Sequence, residues 1–369
     1  MEYFYDGITN LTFNIKFTLK ILSLFSYLNL IMMKNTKVLC LSLLLTIVCL
    51  SNANAQFGGL KDKLLKVGTA QGAKALGVDK FLKQPAAITT SFEDVNREGE
   101  KLPDFINSLN LKAQPLYLLP KNPEGGFLLC EGLYEMTNKS YCLKAGTFAP
   151  SKGDGYMFAP VLGPKEEIVV SILKSAEKHS DVEQHDIQVL LWTIIARTKF
   201  ADFNGQVKLT AVKLLTPKQL TQLEGGALGV LPFDIMEKAK DQLPAGVRAV
   251  FEAENNIRQL VASGNYTYAD MEKYAIIAGM APPRSDVPSG IWTKHPDGYY
   301  VRYFPSGYSI TKVQVYVPKE LLANGTKLIY DAAGDIACPA NTGSQRLAQT
   351  NEPLEANYSA KLTTICNPK

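Results

Sequence analysis

The sequence predicts an α+β fold, in which a mostly helical central part with some strands is followed by a smaller all-β C-terminal part. Two observations lead to this prediction. Residues 165–262 repeat apolar side chains at helical spacing, whereas residues 290–340 are rich in Tyr, Val, Ile and Thr and alternate as strands do. The 369 residues, 46% of them hydrophobic, are enough for one large or two ordinary domains.

The pattern of residues 32–55 is that of a secretory signal peptide. A short basic start precedes a continuous apolar run at 38–50, and Ala53 and Ala55 form the small-residue exit for cleavage before Gln56. The apolar run is short for a membrane span, which takes about 20 residues. A membrane anchor is the alternative interpretation, and residues 1–31 are interpreted as an over-extended gene model.

Cleavage before Gln56 would change the charge balance. Residues 1–55 contain four lysines and two acidic residues, so the remaining 314 residues contain 35 basic and 33 acidic ones, a net charge of +2. So small an excess, without a dense Lys/Arg run, predicts no nucleic-acid partner. We therefore expect an exported protein (periplasmic, outer-surface or extracellular) with no integral membrane span in the mature chain.

Residues 56–282 are predicted to form the mostly helical domain. Residues 86–130 are punctuated by prolines and predict strands and loops, with one strand at 115–119. The remaining pattern is helical. The predicted helices are a segment at 58–82, a stripe at Ile168, Val169, Ile172, Leu173 and Ala176, a buried helix at 187–196, a helix that begins at Thr216-Pro217, and an amphipathic helix at 247–261.

Residues 283–369 are predicted to form the β-rich C-terminal domain. Strands at 299–304 and 311–317 flank a turn at 305–307. Aromatic side chains on such strands can stack on sugar rings or bind another protein, or they can fill a small core. The candidate binding residues are Trp292, Tyr300, Arg302 and Tyr303, with a surface protein or a glycan as the expected partner.

Four cysteines follow the signal segment: Cys130, Cys142, Cys338 and Cys366. In an exported protein an even number of cysteines suggests disulfides, with three possible connectivities. A local Cys130–Cys142 bond together with a Cys338–Cys366 bond would leave no cysteine unpaired.

Residues 134–200 hold the most informative motifs. Tyr141-Cys142 is followed by a Gly/Pro-rich loop and an apolar helix, and Gln188 stands four residues before Trp192. This order resembles the thioester-forming (TQXA-type) domains of bacterial surface adhesins. The resemblance implies that the Cys142 thiol and the Gln188 carboxamide condense into an internal thioester that can capture an amine. Ile187 and Leu190 depart from the family pattern around the glutamine.

Such a thioester needs a site that excludes water, because water would hydrolyse the activated acyl group. The predicted shielding aromatics are Tyr141, Tyr156 and Trp192. In the alternative interpretation Cys142 is in a disulfide and Gln188 is a buried glutamine that hydrogen-bonds to the backbone.

The sequence thus predicts a binding or structural protein of the cell envelope or exterior rather than an enzyme, without metal or cofactor. The alternative function is a secreted or periplasmic hydrolase of cell-wall or glycan polymers. No nucleophile or paired-carboxylate motif supports it, but two carboxylates can meet from distant positions in a fold.

Overall fold

The computed structural model describes residues 84–97, 103–150, 153–225, 243, 245–279, 281, 287–323 and 325–363. The chain divides into two compact units, residues 1–55 and 56–369, and the first lies wholly outside the described residues. The predicted signal peptide, the 58–82 helix and Cys366 also lie outside them.

The described part of the second unit contains twelve strands and seven α-helices. The strands are β1 Gln114–Pro115, β2 Phe127–Leu128, β3 Gly132–Cys142, β4 Thr147–Phe148, β5 Tyr156–Pro160, β6 Ile276–Ile277, β7 Thr293–Lys294, β8 Tyr300–Ser306, β9 Ile310–Val317, β10 Ile329–Tyr330, β11 Asp335–Pro339 and β12 Leu347–Pro353. The helices are α1 Pro103–Ser108, α2 Glu166–Ala176, α3 Gln184–Ile195, α4 Gln206–Leu214, α5 Pro217–Gln222, α6 Ala245–Ser263 and α7 Tyr268–Ala275. None of these helices combines the length and the apolar character that a membrane crossing requires.

One large sheet organises the fold, and it corrects the predicted fold class. Its strands run in the order β5-β11-β12-β3-β9-β8-β7, all antiparallel, and β1 adds in parallel to β3. The two outermost strands approach each other, since the Phe158 N–H on β5 donates to Thr293 Oγ1 on β7 at 3.3 Å. The prediction of a mostly helical part followed by a separate β part is wrong. Strands β3 and β5 of the first part pair with strands of the second part in one curled, nearly closed sheet.

The central strand β3 was missed for a physical reason. Its inward positions include Asn138 and Ser140, which interrupt the alternation of apolar residues that marks a strand. Both side chains are buried and donate to backbone carbonyls: Asn138 Nδ2 donates to Thr350 O at 3.0 Å, and Ser140 Oγ donates to Tyr308 O at 3.0 Å. Tertiary hydrogen bonds therefore allow polar residues where the sequence pattern expects apolar ones.

Several local predictions are confirmed. All five residues of the predicted stripe on α2 are buried, and on α3 every residue from Ile187 to Ile195 is buried. The α5 helix begins with Thr216 as its N-cap and Pro217 in the first turn, in a capping box with Gln219. Strands β8 and β9 pair as the predicted hairpin. The predicted strand at 115–119 is instead mostly a 3-10 turn at Leu116–Leu118.

The sheet separates two groups of buried side chains. The main core is continuous and includes the inward residues of β8 and β9, such as Val301 and Val313. A second, small cluster lies on the outward face and comprises Ile106, Leu133, Trp292 and Tyr300. Because strand side chains alternate, neighbouring residues of one strand contribute to different clusters.

Candidate functional site

Cys142 is the last residue of strand β3. On one side Cys142 pairs with Leu347 of β12. On the other side the β9 ladder ends at Ile310, opposite Lys139, with one further bond from Ser140 N to Ser309 O at 2.9 Å. The backbone N–H and C=O of Cys142 therefore have no strand partner on this side. Buried backbone groups of this kind need some hydrogen-bond partner.

Gln188 on α3 supplies that partner. The Cys142 N–H donates to Gln188 Oε1 at 2.8 Å, and Gln188 Nε2 donates back to Cys142 O at 3.2 Å. Gln184 lies one turn earlier on the same face of α3, and its Nε2 donates to Ser140 O at 3.2 Å and to Ser309 O at 2.8 Å. The two glutamines thus continue the hydrogen bonding of β3 where β9 stops, and they dock α3 on the end of the strand.

The Cys142–Gln188 pair is removed from solvent. Cys142 is 0% and Gln188 2% exposed, and the Cys142 thiol is free. Trp192, one turn beyond Gln188, is also fully buried, and its ring lies 5.4 Å from the Tyr268 ring and 6.4 Å from the Tyr308 ring, measured between centroids. Aromatic rings therefore stand between this region and the surface.

Three residues of this region had no signal in the sequence pattern: Tyr268, Glu272 and Tyr308. Tyr268 and Glu272 are i and i+4 on α7, and Tyr308 lies in the β8–β9 turn. The Tyr268 and Tyr308 hydroxyls are 3.0 Å apart, and the Tyr308 hydroxyl donates to Glu272 Oε1. The exposed ring of His185 stacks on Tyr268 at 3.9 Å. Only the tertiary structure brings these three segments together.

Burial controls the chemistry of the thiol. Desolvation, followed by the nearby charge of Glu272, raises the pKa of Cys142 well above its ordinary value. Desolvation also raises the pKa of Tyr268 to about 12. The thiol is therefore protonated at neutral pH, and any reaction of its sulfur needs a group that accepts the proton.

The predicted shielding aromatics differ in position. Tyr156 is buried on β5, and its hydroxyl donates to Gln345 O at 3.1 Å. Desolvation, followed by the nearby Asp154 and Cys142, raises the pKa of Tyr156 well above its ordinary value. Tyr141 is buried as well, but it precedes Cys142 in the same strand, so its ring points to the opposite face. Tyr156 and Trp192 are the predicted aromatics on the Cys142 side.

The predicted disulfides Cys130–Cys142 and Cys338–Cys366 are wrong. Cys142 and Cys338 are buried free thiols. Cys130 and Cys142 are separated by the whole extended strand β3, about 33 Å at the usual rise per residue, whereas bridged Cα atoms lie about 4–7 Å apart. Cys130 itself is disulfide-bonded.

The predicted binding residues separate into two groups. Trp292, Tyr300 and Arg302 come together on the outward face of the sheet. Tyr303 alternates to the inward face, where it is 0% exposed in the main core, so it cannot contact a surface ligand. Among the described residues, no group of three or more His, Cys, Asp or Glu side chains is arranged to hold a metal ion.

The chain matches no protein-family model, no curated protein and no solved structure. Evidence for function therefore comes from the arrangement of the chain's own residues. The contact between the Gln188 carboxamide and the Cys142 backbone is its central observation.

Proposed function

We propose that this protein is an exported binding protein in which the Cys142 thiol and the Gln188 carboxamide form an internal thioester that attaches it to an amine of its partner. The observation that carries this proposal is the two-point hydrogen bonding of the Gln188 carboxamide to Cys142. It holds the acyl carbon beside the residue that bears a free thiol. Export is supported by the signal-peptide pattern at 32–55.

The proposed bond formation is balanced by loss of ammonia. The Cys142 sulfur attacks the Gln188 side-chain carbonyl carbon, a C–S bond forms, and the C–N bond breaks. The thiol proton leaves with the amide nitrogen as ammonia. We assign the acceptance of this proton to Glu272, whose charge, after desolvation, contributes to the raised pKa of the thiol.

Capture of a partner is the reverse exchange with a different amine. A primary amine attacks the thioester carbonyl, an amide bond forms at Gln188, and the Cys142 thiol is released. Trp192, Tyr268 and Tyr308 support this step because their rings keep water from the acyl group until the amine arrives. The partner is a surface protein or glycan that carries a primary amine.

Intact mass of the purified, unreduced protein tests the proposal. The proposed thioester lowers the mass by one ammonia molecule, and treatment with methylamine then adds the mass of one methylamine. Cys142→Ala abolishes both changes, whereas Cys338→Ala, which removes the other buried free thiol, leaves both intact. A wild-type mass without loss of ammonia, and unchanged by methylamine, would reject the proposal.

The hydrolase alternative lacks comparable support. Among the described residues, the carboxylates of Glu177 and Asp331 meet across Asn351, whose Nδ2 lies 2.9 Å and 2.8 Å from their oxygens. Asp331 also forms an ion pair with Lys174 at 2.8 Å. These carboxylates therefore hold α2 against the segment before β11, and their contacts explain them without a substrate.

A further inference from the structure

A separate pocket lies on the outward face of the sheet, away from Cys142. It is about 310 Å³ in volume and lies between α1 with its following loop and the side chains of β3 and β8. Its apolar wall consists of Ile106, Leu111 and Leu133. The rest of the lining is polar: Asn107, Asn110, Arg302 and the Trp292 indole.

Among the described residues that line the pocket, only Arg302 is charged. Its guanidinium carbon lies 4.2 Å from the centroid of the Trp292 ring, a cation–π contact. Its Nε donates to Gln314 Oε1 at 2.7 Å and its Nη1 donates to Asn107 Oδ1 at 3.1 Å. Both acceptors are neutral amides, so no carboxylate among the described residues pairs directly with this guanidinium.

The carboxylate of Glu135 reaches the Arg302 guanidinium only through Gln314. Across the three strands β3, β9 and β8, the residues Glu135, Gln314 and Arg302 stand opposite one another. Gln314 Nε2 donates to Glu135 Oε2 at 2.8 Å, so the glutamine separates the carboxylate from the guanidinium. Arg302 is half-buried, and desolvation of a guanidinium without a direct carboxylate favours an anionic partner.

Two further groups of the lining can donate hydrogen bonds. The Trp292 indole N–H is buried and has no hydrogen-bond partner among the described residues. Asn107 uses its oxygen to accept from Arg302, which leaves its Nδ2 to donate. A ligand that fits these groups accepts hydrogen bonds, carries negative charge, and buries an apolar body against the wall formed by Ile106, Leu111 and Leu133.

We propose that this pocket binds a carboxylate carried on a small branched apolar body, with the carboxylate on Arg302. Such a group occurs at the C-terminus of a peptide that ends in an aliphatic residue, and it also occurs as a free short-chain acid. Guanidinium binds a carboxylate in a planar, two-point geometry, for which Arg302 has Nη2, which donates to no described residue, and the second N–H of Nη1.

Two matched probe pairs distinguish these sources. N-acetyl-L-leucine represents the peptide terminus and 4-methylpentanoate the free acid, and the amide of each is its uncharged control. The chain has two tryptophans, so its ¹⁵N-labelled form gives two indole N–H resonances, assigned with Trp292→Phe. We expect at least one acid to shift the Trp292 resonance at saturable concentrations while both amides fail, and the Trp192 resonance to stay unchanged. A stronger response to the acetylated amino acid indicates a peptide terminus, and the reverse indicates a free acid.

The matched variants are Arg302→Gln and Lys312→Gln. Lys312 is a second cation on the same face, 5.1 Å from the Phe304 ring, but it does not line the pocket. We expect Arg302→Gln to weaken acid binding about tenfold or more, the usual effect of losing a charged hydrogen bond, and Lys312→Gln to leave it within about twofold. An unchanged Trp192 resonance in Arg302→Gln verifies the fold. Equal binding of acids and amides, no binding, or undiminished binding by Arg302→Gln overturns the proposal.

Discussion

The buried site of Cys142 and Gln188 (the closed site) and the pocket at Arg302 (the open pocket) lie on one sheet. They differ in how far their polar groups are paired within the protein. At the closed site the backbone N–H and C=O of Cys142 hydrogen-bond to the side-chain amide of Gln188, and both residues are buried. In the open pocket Arg302 binds neutral amides and the Trp292 N–H has no partner among the described residues. Both polar atoms of the Gln188 carboxamide have intramolecular partners, whereas Arg302 keeps N–H groups that no described residue accepts.

The largest expected effect comes from Gln188→Ala. It leaves the buried N–H and C=O of Cys142 without partners, so we expect a loss of about 4 kcal/mol in the free energy of unfolding. Urea denaturation measures this loss. Cys142→Ala keeps the same backbone hydrogen bonds of Gln188, and the partly exposed Gln184→Ala removes less buried bonding, so each should cost about 1 kcal/mol. Equal losses in all three variants would contradict this role of Gln188.

An intermediate effect is expected from Lys144, near the closed site, on the pH dependence of the free energy of unfolding. Its Nζ donates to Thr342 O at 2.9 Å, and desolvation, with Arg346 nearby, lowers its pKa to about 7. Between that value and its ordinary pKa of 10.5, the unfolded chain binds more protons than the folded chain, so the free energy of unfolding rises with pH.

The measurement compares urea midpoints at pH 6.5 and pH 8, a window below the ordinary titration of the cysteines. We expect a wild-type midpoint that increases across this window and a smaller increase for Lys144→Met. Arg302→Gln, in the open pocket, should retain the wild-type increase. The same slope in wild type and Lys144→Met would show that Lys144 does not cause it.

The smallest expected effect is the stability change in Arg302→Gln. A half-exposed cation–π contact and hydrogen bonds to neutral amides contribute about 1 kcal/mol or less to the free energy of unfolding. Urea denaturation should therefore separate this variant from Gln188→Ala by several kcal/mol. A loss as large as that of Gln188→Ala would mean that Arg302 holds the fold rather than a ligand.

Local elements could be predicted where one segment carries its own signal. The apolar face of α2, the buried run Ile187–Ile195 of α3 and the Thr216 capping box each depend on residues within one to three helical turns. The closed site could be predicted only in part. Its Cys142 and Gln188 stand in recognisable motifs, but Glu272 and Tyr308 come from segments far along the chain and have no pattern of their own.

By itself, the sequence determined the helices α2, α3, α5 and α6 and the β8–β9 hairpin, and it pointed to Cys142 and Gln188 as a candidate pair. Only the tertiary structure decided that strands before and after the helical segments form one sheet, because strand pairing joins residues without regard to their separation in sequence. It also decided the cysteine chemistry. An extended β3 keeps Cys130 away from Cys142, and the early end of the β9 ladder leaves the Cys142 backbone to Gln188.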